Sequence, residues 1–112
     1  MKEKPTMHTP PPTISTDDFA RLCESIRAAG LDPIVVLRDG GGAAREAADE
    51  VRYEHPTLAA ALGFWSVGLA EDHRAYQLPP GRADRLDGHT RGRQFYRLGC
   101  DALRGLAKAV RP

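Results

Sequence analysis

Residues 90–110 read TRGRQFYRLGCDALRGLAKAV, and the fold turns on how this stretch is wound. As an α-helix of about 3.6 residues per turn it gathers Phe95, Leu98, Gly99, Ala102, Leu106, Ala109 and Val110 on one side. Arg93, Arg97, Arg104, Lys108 and Arg111 then fall opposite, within an arc of roughly 60°. The period is helical, so the spacing predicts an amphipathic helix from Thr90 onward, with an apolar side for a core and an arginine-rich side left outside.

The residues before it follow the same logic. His73 to Gly88 carries Pro79-Pro80-Gly81 and reads as a connection. Leu58 to about Glu71, through Leu62, Trp65 and Leu69, is apolar nearly all round and is expected at the centre of the core, capped by Thr57. Ala44, Ala47, Ala48 and Val51 mark a small-faced helix that ends before Pro56. Ser15-Thr16-Asp17-Asp18 gives a helix start, with Phe19, Leu22, Cys23 and Ile26 at helical spacing behind it. Gly30 closes that helix, and Leu31 can fold back on its last turn.

Pro33 to Arg38 differs. Ile34-Val35-Val36-Leu37 is a short apolar run rich in β-branched residues and is predicted to be a buried strand. A strand needs a partner, which residues near Arg74 to Leu78 or a second chain, in a homodimer, would supply; otherwise the run is extended and unpaired. The expected fold is therefore mostly α, with α+β as the alternative: about four helices, one short strand and a disordered arm. Residues 1–13, with four prolines and almost nothing apolar, form the arm, and residues 14–112 a single helical domain. The expected core is Phe19, Leu22, Cys23, Ile26, Val35, Leu37, Leu62, Trp65, Leu69, Phe95, Leu98 and Leu106.

Composition bounds the function. A chain of 112 residues matches one ordinary domain, and 41% hydrophobic with 28% charged residues is a globular balance. There is no apolar run of about 18 residues to cross a membrane, and Met1 to Pro12 lacks the apolar segment of a secretory leader, so a cytoplasmic protein is expected. Cys23 and Cys100 are expected as two reduced thiols. The net charge of +1 conceals an asymmetry: residues 1–70 hold seven Lys or Arg against ten Asp or Glu, and residues 71–112 hold nine against five. From Gly88 onward Arg91, Arg93, Arg97, Arg104, Lys108 and Arg111 are opposed by Asp101 alone, so an anionic partner would meet this end first. The preference for arginine, with abundant alanine and glycine, points to a bacterial or phage coding sequence.

No complete chemical motif is present. Asp39-Gly40-Gly41-Gly42, between the expected strand and a helix, lies where phosphate is often bound, yet neither a P-loop nor a dinucleotide fingerprint is there. His55, His73, His89, Cys23 and Cys100 lack the close spacing of zinc ligands, so neither a metal nor a cofactor is expected. A thiol nucleophile would need Cys23 or, better placed between Arg97 and Arg104, Cys100 beside a histidine. The chain is therefore expected not to be an enzyme.

Trp65-Ser66-Val67-Gly68, a proline-bearing connection and Tyr96-Arg97-Leu98-Gly99-Cys100 together resemble the two-helix pattern of ribosome modulation factor and its small phage and plasmid relatives. The likeness spans about residues 64–106, with a longer connection and with Cys100 where the family has tryptophan. It implies a short helical hairpin that binds ribosomal RNA. The residues themselves predict a small regulatory protein docking its basic last helix, through Arg91, Arg93, Arg97, Arg104, Lys108 and Arg111, on nucleic acid or a nucleoprotein. The alternative is an inhibitor or adaptor of the kind mobile elements carry against a host protein, using Glu46, Asp49, Glu50 and Glu54; a small thiol enzyme comes third.

Overall fold

In a computed structural model, which describes residues 14–38 and 40–110 and the side chains as far as Arg104, the protein is mostly helical. Five helices follow one another: α1 (Thr16–Ala28), α2 (Pro33–Val36), α3 (Gly42–Val51), α4 (Pro56–Tyr76) and α5 (Ala83–Val110). The arm expected at residues 1–13 lies outside the described residues, as do Arg111 and the side chains of Leu106 and Lys108.

Helix α1 forms as its sequence directs. Ser15 Oγ accepts from the Asp18 amide at 3.1 Å, and Asp18, Leu22 and Ile26, four residues apart, turn inward. At the other end the Leu31 amide reaches back to the Ile26 carbonyl at 3.1 Å across Gly30, closing the helix as expected.

The predicted strand is a turn of helix instead. Asp32 caps α2 by accepting from the Ile34 amide at 3.0 Å, and Pro33 occupies the first helical position, where its missing N–H costs nothing. Val36 alone of the run's hydrophobic side chains is buried; Ile34 is 83% exposed and Val35 46%. β-Branched composition carries less weight here than an Asp-Pro start with no neighbouring strand to bond, and no strand occurs among the described residues.

Helices α4 and α5 form an antiparallel hairpin that dominates the molecule. Both are longer than the sequence suggests: α4 begins at Pro56 rather than after a Thr57 cap, and α5 begins at Ala83 rather than Thr90. The connection expected over His73 to Gly88 shrinks to residues 77–82, with Arg82 forked onto Asp84 at 3.0 and 2.7 Å in the first turn of α5. Gly88, read as the end of the connection, and Gly92 are both buried in the helix–helix contact. A Cβ at Gly92 would lie 2.8 Å from Asp72 Oδ1 and 3.0 Å from the Gly68 carbonyl oxygen. One at Gly99 would lie 2.5 Å from Trp65 Cδ1 and 2.9 Å from the Ala61 carbonyl oxygen. Absence of side chains lets the two backbones meet, and this outweighs the propensity cost of glycine in a helix.

The core comprises Leu22, Ile26, Val36, Ala44, Ala47, Val51, Leu58, Ala61, Leu62, Trp65, Cys100 and Leu103. Of the other expected members, Phe19, Val35 and Leu98 are each nearly half exposed, and Cys23, Leu37, Leu69 and Phe95 are only partly buried. Rotating α5 so that Gly92, Gly99, Cys100 and Leu103 face α4 carries Leu98 out to solvent. Phe19 keeps one edge inside, stacked in a row with Trp65 (6.0 Å between ring centroids), which in turn meets Tyr96 at 4.3 Å. The glycine turn before α3 is required by the fold. Gly41 has φ +80°, and its Cβ would sit 2.2 Å from the Ser66 carbonyl oxygen on α4.

Candidate functional site

The cations of α5 do not share one environment: Arg91 reaches α4, Arg104 reaches α1, and Arg93 is exposed. Arg93 is exposed and has no ion pair among the described residues. Arg91 donates from Nε to Glu71 Oε2 at 3.0 Å while its side chain stays 54% exposed. Arg97 lies 3.6 Å from Asp101, one turn along the same helix.

Arg104 belongs to the fold. Its Nε donates to Asp18 Oδ1 at 3.0 Å, its Nη2 meets Asp18 Oδ2, and its Nη1 reaches Asp101 Oδ1 at 2.9 Å. Asp18 is the buried carboxylate of α1, with Arg21 also at 3.1 Å, so the Arg104 fork ties the first helix to the last. Burial works to raise the Asp18 pKa; the Arg104 guanidinium, the Ser15 hydroxyl and Arg21 together prevail and hold it below the ordinary carboxylate value.

A second charged cluster sits where α4 and α5 cross near Gly92. Glu71, little exposed, receives Arg74 at 2.6 Å and Arg91. Arg91 first, then Arg74, keep its carboxyl below the ordinary value against the opposing effect of burial. Next to it, Asp72 accepts from Tyr96 Oη at 2.5 Å and from His89 Nδ1 at 2.9 Å. A carboxylate can only accept, so His89 carries its proton on Nδ1 in this arrangement. Burial, and after it the Asp72 charge, push the Tyr96 phenol far up, so it remains a donor.

Cys100 does not present a reactive thiol. Cys100 is 1% exposed, and burial, followed by the charge of Asp18, raises its pKa, whereas a nucleophilic cysteine needs it lowered and accessible. Among the described residues no three His, Cys, Asp or Glu side chains gather as metal ligands, and no helix is long and apolar enough to cross a membrane.

Two features escaped the sequence. The Asp18–Arg104 pair joins residues 86 positions apart, which no local pattern announces. The Tyr96–Asp72–His89 cluster could have been suspected only by starting the last helix before His89, because His89 and Tyr96, seven residues apart, then share a face toward α4. No protein-family model matches the chain, and no curated protein and no solved structure matches it; the likeness to ribosome modulation factor rests on short motifs that here lie on an antiparallel helical hairpin.

Proposed function

We propose that this chain is a small non-enzymatic regulatory protein that docks the outward side of α5 on nucleic acid or a nucleoprotein complex, in the cytoplasm of a bacterial or phage-infected cell. The observation that carries the reading is Arg93, exposed and unpaired among the described residues, with the part-exposed Arg97 one turn on along the same side, while Arg91 lies round the helix against Glu71 of α4. Guanidinium groups repeated along one side of a helix can follow successive phosphates and fork hydrogen bonds to them. Arg104 drops out of the contact set because Asp18 holds it, and Lys108 and Arg111 extend the set in sequence.

The test is fluorescence anisotropy of labelled RNA and DNA oligonucleotides at two salt concentrations. Three phosphate contacts predict that log K falls with log salt at a slope of about −2 to −3. No binding, or binding indifferent to salt, refutes the reading.

One observation favours a protein partner instead. Leu98 and Val67 are each nearly half exposed, and Ala48, Ala59, Ala60, Gly63 and Val67 line an open groove of about 470 Å³ between α3 and α4. Arg45, Asp49 and Arg52 border that groove, and Glu46, Glu50 and Glu54 are exposed on or just beyond α3. An adaptor or inhibitor would bind here through apolar contact, with weak salt dependence.

A further inference from the structure

Three carboxylates among the described residues are less than fully exposed: Asp18, Glu71 and Asp72. The first two each have two arginines, Asp18 with Arg21 and Arg104, Glu71 with Arg74 and Arg91. Asp72 has none. It receives a phenol and an imidazole, which use two of a carboxylate's roughly four acceptor positions.

The Asp72 side chain is 23% exposed and stands on the wall of a cleft of about 400 Å³. Leu69, His73, Tyr76 and Tyr96 line the rest, with Gly40 at the rim. Tyr76 already attracts one cation: the Arg85 guanidinium lies 5.5 Å from its ring centroid. Arg85 belongs to a separate hollow, beside His89, and does not line this cleft.

A negative charge bonded to no arginine or lysine among the described residues, in a partly enclosed cleft walled by two phenol rings, attracts a soft, weakly hydrated cation twice over. Coulomb attraction acts at reduced dielectric, and the ring faces add their own. A metal ion asks for several oxygen ligands, and Asp72 is the one carboxylate this cleft offers.

We propose that the cleft beside Asp72 binds an organic cation, an ammonium or guanidinium group, presented by a free amine or by a lysine or arginine side chain of a partner.

The experiment is an NMR titration of the ¹⁵N-labelled full chain with four probes: agmatine, tetramethylammonium, a short capped Gly-Arg-Gly peptide, and neopentyl alcohol as the uncharged comparison. Saturable shifts should be confined to residues 69–77 and 89–96, and the alcohol should bind at least about tenfold more weakly than the cations. Tighter binding of agmatine than of the peptide identifies a free amine; the reverse identifies a partner's side chain. Asp72→Asn should weaken the cations by about tenfold or more, and Tyr76→Ala, at a side chain already 67% exposed, several-fold with melting unchanged. If Asp72→Asn fails to fold, Tyr76→Ala still decides. Absence of saturable shifts, equal binding of the alcohol, or cation binding untouched in folded Asp72→Asn and Tyr76→Ala overturns the proposal.

Discussion

Alanine placed at two glycines of the α4–α5 hairpin should move stability in opposite directions. At Gly99 the new Cβ would stand 2.5 Å from Trp65 Cδ1 and 2.9 Å from the backbone oxygen of Ala61. Ordinary carbon contacts lie at about 3.5–4.0 Å, so the methyl is roughly 1 Å too deep, against a buried indole and a helix backbone that cannot swing away. Overpacking of this kind costs about 1–3 kcal/mol, offset by the ~1 kcal/mol that alanine gains over glycine in a helix. The indole and backbone together place Gly99→Ala toward the upper part of that range, a net loss of about 1–2 kcal/mol. Gly63 lies in α4 with no heavy atom within 4 Å of its would-be Cβ, so Gly63→Ala keeps only the helical gain, up to about 1 kcal/mol. The two variants should differ by roughly 2–3 kcal/mol, or on the order of 10 °C in melting temperature for a chain of this size. Urea and thermal melts followed by circular dichroism measure this. A Gly99→Ala chain melting at or above Gly63→Ala would refute the close-packed hairpin.

Three further outcomes follow from the charged clusters and the thiols. Asp18 and Glu71 have pKa values below their ordinary 3.8 and 4.5, so their stabilisation is present at neutral pH and is lost as pH falls through and below those values. Melting temperature should fall steadily on acidification from pH 5, and less so in Asp18→Asn; a flat profile contradicts the pairing. Arg104→Gln should lower the melting temperature well below Arg93→Gln, because only the first leaves a buried carboxylate without its main partner. Iodoacetamide at neutral pH should alkylate Cys23 at least about tenfold faster than Cys100, whose thiol is buried and raised in pKa, as read by peptide mass mapping.

The helices were legible wherever a local signal stood beside an apolar period. The Ser15 cap, the Gly30 stop and the small-faced α3 needed nothing beyond their own neighbourhood. Illegible were features decided by a distant surface. Gly88 ends a helix on propensity and continues one on packing, and only α4 opposite it settles which. Ile34-Val35-Val36 has strand composition, but a strand exists only with a partner, and Asp32-Pro33 starts a helical turn where none is offered. On α5 the sequence located the arginines but not their duties. Arg104 and Arg93 look alike on a helical wheel; one is held by a carboxylate 86 residues away and the other faces solvent.

The docking face of α5 is tested most directly by the nucleic-acid affinity of the parent and an Arg93→Glu/Arg97→Glu chain at two salt concentrations. Both arginines are away from the core and from Asp18, so helicity and melting should change little. The variant should bind RNA or DNA at least about tenfold more weakly at low salt, with a salt slope shallower by about two units. Undiminished, equally salt-sensitive binding by a folded variant would contradict the account.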